Sequence, residues 1–542
     1  MFKGIAASKG YAIGTIMIMA HDEIQIDHSP CSNTDEAIES LREAILLSKV
    51  QLKQLRDKTA SNIGEEEAMV FDSHMLFLDD PEFIGGIEDA IRTENRRPQA
   101  AIEQVKLFYK SIFDQMDNAY MKERAADIVD VGNRLIRNSL GIHDQAEALP
   151  ENTIVVAHDL TPSDTASLDK SKVVGFLTDI GGTTSHSAIM ARSLEICAVV
   201  GMNDITQKVE NGMLAIIDGM KGEAIINPDE ETLSKYKALQ QVYMKKREEL
   251  KKYKELKLSY ADGREILVAG NIGSVKDLDS VIENGADGIG LFRTEFVFMD
   301  REAAPTEEEQ FEIYKTVAER MSGKPVVIRT LDIGGDKQIP YLPLEHEMNP
   351  FLGLRAIRLC FKYEEMFRAQ IKALLRAGVY GDVNIMLPMI GNIQEIRQAK
   401  AIIESCKHEL RENGIPFNEK TPVGIMIEIP SAAVVADMLA KEVDFFSIGT
   451  NDLIQYTLAV DRMNSNISHL YDPMNPAVLR LIEMSIKAAH EAGIWCGMCG
   501  EMAGDLRATK ILLEMGLDEF SMSGSSILDV KEAITGLLSK QL

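Results

Sequence analysis

The chain has 542 residues, enough for three or four domains, and its 45% hydrophobic and 26% charged content is that of a globular protein. A formal net charge of −26 argues against nucleic acid as a partner, because such binding relies on neutralising phosphates with Lys and Arg. Sparse cysteines (six), with no second pair at zinc-ribbon spacing beside Cys496-Gly-Met-Cys499, point away from structural zinc, and no run of about 18 apolar residues spans a membrane. The expectation is a soluble, cytoplasmic protein whose charge serves solubility or attracts a basic partner.

Residues 1–20 read as a short β unit, with Ile5, Tyr11, Ile13, Ile16 and Ile18 punctuated by Gly4, Gly10 and Gly14. Gly14 interrupts the apolar Tyr11–Ala20 stretch, which is a strand and not a signal peptide. From Thr34 to about Leu140 apolar residues recur at helical spacing, first at Ile38, Leu41, Ile45, Leu52 and Leu55, then in 66–77, 81–94, 98–116 and 120–140. That pattern predicts an antiparallel helical bundle. Residues 150–227 return to α/β character, with strands at 153–157, 173–177 and 214–217. A helical stretch between a β start and a β return reads as an insertion, with 1–20 joining the sheet of 141–227.

Residues 229–258 are polar and helical, with Tyr236, Leu239, Tyr243, Leu250 and Tyr253 on one side. After Tyr260 apolar strands alternate with amphipathic helices to the end. Eight strands are predicted, at 266–271, 288–292, 326–330, 384–387, 423–427, 445–448, 495–498 and 519–521. Eight βα units in this length fit a TIM barrel.

Two places carry chemistry. The first is Gly181-Gly182-Thr183-Thr184-Ser185-His186, where an apolar strand gives way to a helix. Two glycines allow a sharp turn, and hydroxyls and amides at a helix start favour an anion. His186, presented there, is a candidate phosphoryl acceptor; the alternative is an N-capped helix whose histidine serves a local hydrogen bond. The second is the C-terminal face of the barrel. Arg293, Arg329, Glu428, Asn451-Asp452, Cys499-Gly-Glu501 and Ser523-Gly524 all end or follow strands, and Arg355 and Arg462 lie on the same side. Arginine forks match carboxylate and phosphate oxygens, and Glu428 with Asp452 suits Mg²⁺. Cys499 can donate a proton to a carbon centre, or it is a packed core cysteine. A redox role for the Cys496–Cys499 pair is disfavoured, because an offset of three points them to opposite faces of a strand.

Seven segments in order resemble enzyme I of the bacterial phosphoenolpyruvate-dependent sugar phosphotransferase system. They are Gly4–Ser8, Gly181–Arg192, Gly290–Glu295, Arg329–Asp336, Asn349–Arg355, Phe446–Asp452 and Gly497–Glu501. The resemblance implies a multidomain α/β protein: a phosphohistidine swivelling domain (1–20 with 141–228), an inserted helical domain that binds the carrier HPr (21–140), a linker helix (229–258), and a phosphoenolpyruvate-binding, dimerising TIM barrel (259–542). It implies that His186 takes the phosphoryl group of phosphoenolpyruvate on Nε2 and passes it to a histidine of HPr, releasing pyruvate. Arg293, Arg329, Asn451, Asp452 and Arg462 would bind substrate with Arg355 nearby, Glu428 and Asp452 would hold Mg²⁺, and Cys499 would protonate the enolate. Glu65, Glu66, Phe71, His74, Leu76, Phe77 and Asp80, with Arg124 nearby, resemble the HPr-docking surface; ordinary bundle packing is the alternative there. Two departures stand out: Thr183 replaces a basic residue usual in the family, and Cys197 a proline. Because His186 must meet both the barrel and the carrier, hinges are expected near residues 20, 141 and 228.

The rival readings are a pyruvate phosphate dikinase or phosphoenolpyruvate synthase, and a non-catalytic paralogue that senses phosphoenolpyruvate. The first needs a nucleotide-grasping module where only the helical insert stands. Against the second stand His186, Glu428, Asp452 and Cys499.

Overall fold

The computed structural model describes residues 1–19, 26–62, 65–114, 119–142, 149–161, 163–164, 169, 171–182, 185, 187–188, 191, 196–299, 301, 303–334, 339, 341–342, 347–462, 464 and 467–539. The side chains of 60–62, 65–67, 69, 114, 119–126 and 468 are outside the description. Two compact units result, Met1–Lys246 and Arg247–Leu542.

The first unit holds one eight-stranded sheet and a helical bundle. Strands β1 (Phe2–Lys3), β2 (Ile5–Ser8) and β3 (Tyr11–Met19) precede five helices: α1 (Thr34–Asn62), α2 (Glu65–Phe77), α3 (Pro81–Glu94), α4 (Pro98–Asp114) and α5 (Ala119–Ser139). Then come β4 (Thr153–Ala157), β5 (Val173–Thr178), β6 (Cys197–Val200), the one-turn α6 (Ile205–Lys208), β7 (Leu214–Asp218) and β8 (Glu223–Ile226). The sheet order is β1-β8-β7-β3-β4-β5-β6-β2, so β3 lies parallel to β4 and antiparallel to β7. The N-terminal strands therefore complete a sheet whose other strands lie beyond the helices. Ile38, Leu41 and Leu52 of α1 meet Phe71, Phe83, Ile87, Ile102 and Leu135 in a separate bundle core. Arg134 ties α5 to the sheet side through Ser163 Oγ at 2.9 Å.

Helix α7 (Glu230–Leu250) follows, and the boundary between the two units falls inside it. Its tyrosines lie on one side, as their spacing predicts. Tyr236 and Tyr243 pack edge-on against Tyr11, and Tyr236 donates to the buried Asp218 at 3.2 Å.

In the second unit all eight predicted barrel strands are present: β10 (Glu265–Ile272), β11 (Ile289–Arg293), β12 (Val326–Arg329), β13 (Val383–Leu387), β14 (Val423–Ile427), β15 (Phe445–Ile448), β16 (Trp495–Met498) and β17 (Glu519–Met522), after a short β9 (Leu258–Ser259). Neighbours are parallel, and β10 pairs with both β17 and β11, which closes the barrel. Alternation sorts the side chains. Ile328, Ile425, Ile448, Met498 and Phe520 face the helices. Val327, Met386, Met426, Phe445, Trp495 and Cys499 fill the interior.

Lys531 is fully buried, and its ammonium donates to the carbonyls of Gly285 (2.7 Å) and Lys254 (3.2 Å) and to Asp287 (3.1 Å). It fastens the chain that follows α7 to the foot of the barrel. Lys531→Met strands three acceptors, so unfolding in urea should show a loss of about 2–4 kcal/mol. A loss below about 0.5 kcal/mol would mean that water satisfies those acceptors.

Candidate active site

The strand-to-helix segment after β5 is built as its composition suggests. Gly181 sits at φ +114°, a left-handed conformation that suits glycine alone. The Oγ of Ser185 accepts from the amide of Ala188 at 3.3 Å and donates to the Gly182 carbonyl at 2.9 Å, the bonds of a helix-capping serine. The base of this turn is anchored by Asp179, a residue to which sequence reasoning gave no role. Its buried carboxylate accepts from the Thr206 amide at 2.9 Å and pairs with His158 Nδ1 at 3.1 Å. Thr183 and His186 lie outside the described residues. Cys197 opens β6, buried, with its thiol donating to the Gly10 carbonyl at 3.2 Å. Burial pushes that thiol up to about 12, which makes it an unreactive core residue.

At the barrel's C-terminal face the structure converges on carboxylates and arginines. Single oxygens of Asp332, Glu428 and Asp452, all buried, lie within 4.8 Å of one another. Arg329 ends β12 and bridges Glu295 (2.5 Å) and Asp332 (2.9 Å). Arg355 bridges Asp332 (3.0 Å) and Asp452 (3.2 Å) and donates to Tyr456 Oη at 3.1 Å. Burial disfavours both guanidinium charges, but the surrounding carboxylates outweigh it and hold both above the ordinary arginine value. Glu428 follows β14 and accepts from the Met389 amide at 2.5 Å. Burial first, and then Asp452 and Asp332, push its carboxyl up to about 8.

Asp332 is the residue that sequence reasoning passed over. It lies three residues beyond Arg329 in a quoted motif, yet only the fold shows it meeting both arginines. A ring of polar side chains braces this ground: Gln370 donates to Thr294 Oγ1 and Tyr314 Oη, each at 3.2 Å, and accepts from the Leu331 amide at 2.9 Å.

The remaining expected residues surround this centre. Arg293 ends β11, half-buried. Asn451 Oδ1 accepts from the Glu501 amide at 3.1 Å. Arg462 is exposed in the loop that also carries Asp461. Cys499 ends β16 facing inward, and Cys496 faces the helical shell; both are buried free thiols. Burial pushes Cys499 up to about 11, so it holds its proton at neutral pH. Three acidic side chains brought together without an equal positive charge suit a divalent cation with few protein ligands.

On the bundle the expected docking residues divide. Leu76 is 70% exposed and Phe77 half-buried, with Leu46 and Val50 of α1 exposed on the same bundle. Phe71 and His74 are interior; His74 lies 3.2 Å from Asp127. Asp80 caps α3 through the amides of Glu82 and Phe83 at 2.7 and 3.0 Å. The side chains of Glu65, Glu66 and Arg124 are outside the description.

Three family models match the chain: "PEP-utilising enzyme, PEP-binding domain" over residues 247–538, "PEP-utilising enzyme, N-terminal" over 3–124, and "PEP-utilising enzyme, mobile domain" over 149–222. The phosphoenolpyruvate-protein phosphotransferase of Priestia megaterium is 52% identical over 536 residues, 99% of this chain and 94% of that one. The protein of the same name from Staphylococcus carnosus (strain TM300) is 50% identical over 541 residues, 100% of this chain and 94% of that one.

Proposed function

The chain belongs to the PEP-utilising enzymes, as a phosphoenolpyruvate-protein phosphotransferase of the enzyme I type, and from that premise we propose how its residues divide the reaction. Arg293, Arg329, Arg355, Asn451 and Arg462 hold the carboxylate and phosphate of phosphoenolpyruvate at the barrel mouth. Glu428 and Asp452 hold Mg²⁺, which when bound offsets charge on the phosphate oxygens. His186 Nε2 attacks phosphorus, the bond to the enol oxygen breaks, and pyruvate enolate leaves. Cys499 gives the enolate carbon its proton, and phosphorylated His186 then passes its group to a histidine of HPr.

The convergence of Arg329, Arg355, Glu428, Asp452 and Cys499 at one end of the barrel carries this reading. The 1–20 and 141–228 segments act as a swivelling unit, the 21–140 bundle docks HPr around Leu76 and the first turn of α2, and the barrel forms the homodimer. The protein works in the cytoplasm, and among the described residues no helix is long and apolar enough to cross a membrane. Incubation with ³²P-phosphoenolpyruvate and Mg²⁺ tests the reading. Acid-labile label should form without ATP and be discharged by HPr; label that requires ATP would point to the dikinase reading instead.

Asp332→Asn tests the brace beneath the arginines. The amide keeps the shape and loses the charge on which both guanidinium groups rest. Partners of this kind cost about 10–100-fold when removed, so kcat/KM for phosphoenolpyruvate should fall within that range. An unchanged value would leave Asp332 with a packing role.

A further inference from the structure

The ladders on both sides of β16 stop at Met498, which is paired with Ile448 of β15 and Phe520 of β17. Cys499 comes immediately after that last fixed position. Its amide donates to the Ile448 carbonyl at 3.1 Å, and its thiol lies 3.9 Å from the same oxygen. The Cys499 carbonyl is held from the opposite direction. Asn271, near the C-terminal end of β10, reaches past the intervening β17, and its Nδ2 donates to that carbonyl at 3.0 Å. Among the described residues no other donor reaches the Cys499 carbonyl.

The Asn271 side chain is itself fixed. Ser521 Oγ on β17, fully buried, donates to Asn271 Oδ1 at 2.6 Å, and Nδ2 also lies 3.4 Å from the Ser521 carbonyl. Both nearby carbonyls are acceptors, so the amide nitrogen must face them and Oδ1 is left for the hydroxyl. Gly290 of β11 makes the room. A Cβ there would come within 2.5 Å of Ser521 Oγ. The pairing of β10 with β11 slips at the same place: Gly270 is opposite Ile289 and Asn271 opposite Leu291, which leaves Gly290 without a partner of its own. A bulge of this kind re-aims a side chain, and such bulges collect beside active sites. Four strands thus cooperate to bring one amide to the main chain of one cysteine.

We propose that Asn271, locked by Ser521, is the positioning residue that sets where the Cys499 thiol stands when it protonates the enolate, an inference that rests on the reading of Cys499 as the acid. A general acid delivers its proton only along a short, aligned path to the accepting atom. With its amide tied to β15 and its carbonyl tied to β10, Cys499 has both ends of its main chain held, and the direction of its Cβ–Sγ bond follows from them. Asn271 handles no proton and acts through the cysteine. What it fixes is the face of the enolate that the thiol addresses.

Stereochemistry separates this role from packing. Phosphoenolpyruvate deuterated at one C3 position and turned over in tritiated water, with Mg²⁺ and HPr, gives pyruvate with a chiral methyl group. Its handedness reports which face received the proton. The unmodified protein should give one hand. Asn271→Leu, similar in size but without a donor, should lower kcat by about tenfold or more, the scale of a small misplacement. Its KM for phosphoenolpyruvate should stay within about twofold, and its product should be of mixed handedness. A single hand from Asn271→Leu, or a raised KM with kcat retained, would overturn the inference. Ser521→Ala removes only the hydroxyl that locks the amide and should mix the product in the same way; if Asn271→Leu does not fold, this variant decides. Cys499→Ala distinguishes the two levels. Slow pyruvate of mixed hand there, or none, with a single hand from the other variants, sinks the clamp alone. A single hand from Cys499→Ala sinks the assignment of Cys499 and the clamp with it.

Discussion

His186→Ala will accept no phosphoryl group from phosphoenolpyruvate, and transfer to HPr will fall by roughly 10⁴-fold or more, the scale seen when an obligatory nucleophile is lost. Gly181 turns the chain at φ +114°, and Ser185 caps the helix that begins beside it. A helix start of this kind carries a partial positive charge that steadies a phosphoryl group. His158, whose carbonyl accepts from the Ile180 amide at 3.1 Å, is the histidine that could be mistaken for an acceptor. Its ring is 72% exposed, but Nδ1 is engaged by Asp179, and Asp159 flanks it. Acidic neighbours repel an arriving phosphate. His158→Ala should therefore keep acid-labile labelling, and His186→Ala should lose it. Phosphoenolpyruvate binding by His186→Ala, read by calorimetry, should stay within about twofold, because the barrel supplies those contacts. Acid-labile label persisting at the unmodified rate in His186→Ala would end the assignment.

Glu428→Gln should lower kcat by about 10²–10³-fold, the effect of removing one preorganised charge contact from a transition state. The same carboxyl predicts how cation affinity depends on pH. Burial, and then Asp452 and Asp332, raise it from the ordinary carboxylate range to about 8. Below pH 8 the cation-free protein therefore holds a proton on Glu428 that Mg²⁺ must displace. Affinity of the substrate-free protein should rise by roughly 50-fold between pH 6 and pH 8, the ratio expected for one displaced proton, and level off above. Glu428→Gln should bind weakly with a flat profile. The sign carries over to stability: between pH 4.5 and 8 the folded state holds a proton that the unfolded chain has released. Without cation, stability from this group is lost as pH rises through 8. A steep profile retained in Glu428→Gln would move the displaced proton to another group.

Much of the molecule was legible because its signals are local. The barrel strands could be found as short apolar runs, bounded by turns and alternating with amphipathic helices. The separation of Cys496 from Cys499 followed from the two-residue period of a strand, and the structure places one in the shell and the other inside. The catalytic face could be listed because barrel chemistry collects at strand ends, a rule that needs only the order of elements. The surface of the bundle was less legible. Phe71 and His74 belong to a helix with no strong apolar face, so spacing could not tell interior from docking surface. Asp80, which reads as an acidic contact, is engaged as the cap of α3.

By itself the sequence determined the element order, the barrel, the strand-to-helix turn before His186 and the chemical types at the barrel mouth, since each depends on periodicity or on residues adjacent in the chain. Only the tertiary structure decided that Asp332 holds two arginines together and that Asp179 anchors the turn after β5. Those pairings join residues 23 positions apart in the case of Asp332 and Arg355, and 27 in the case of Asp179 and Thr206. Strand register and barrel closure create them, and a chain read residue by residue contains no record of which inward positions share a level.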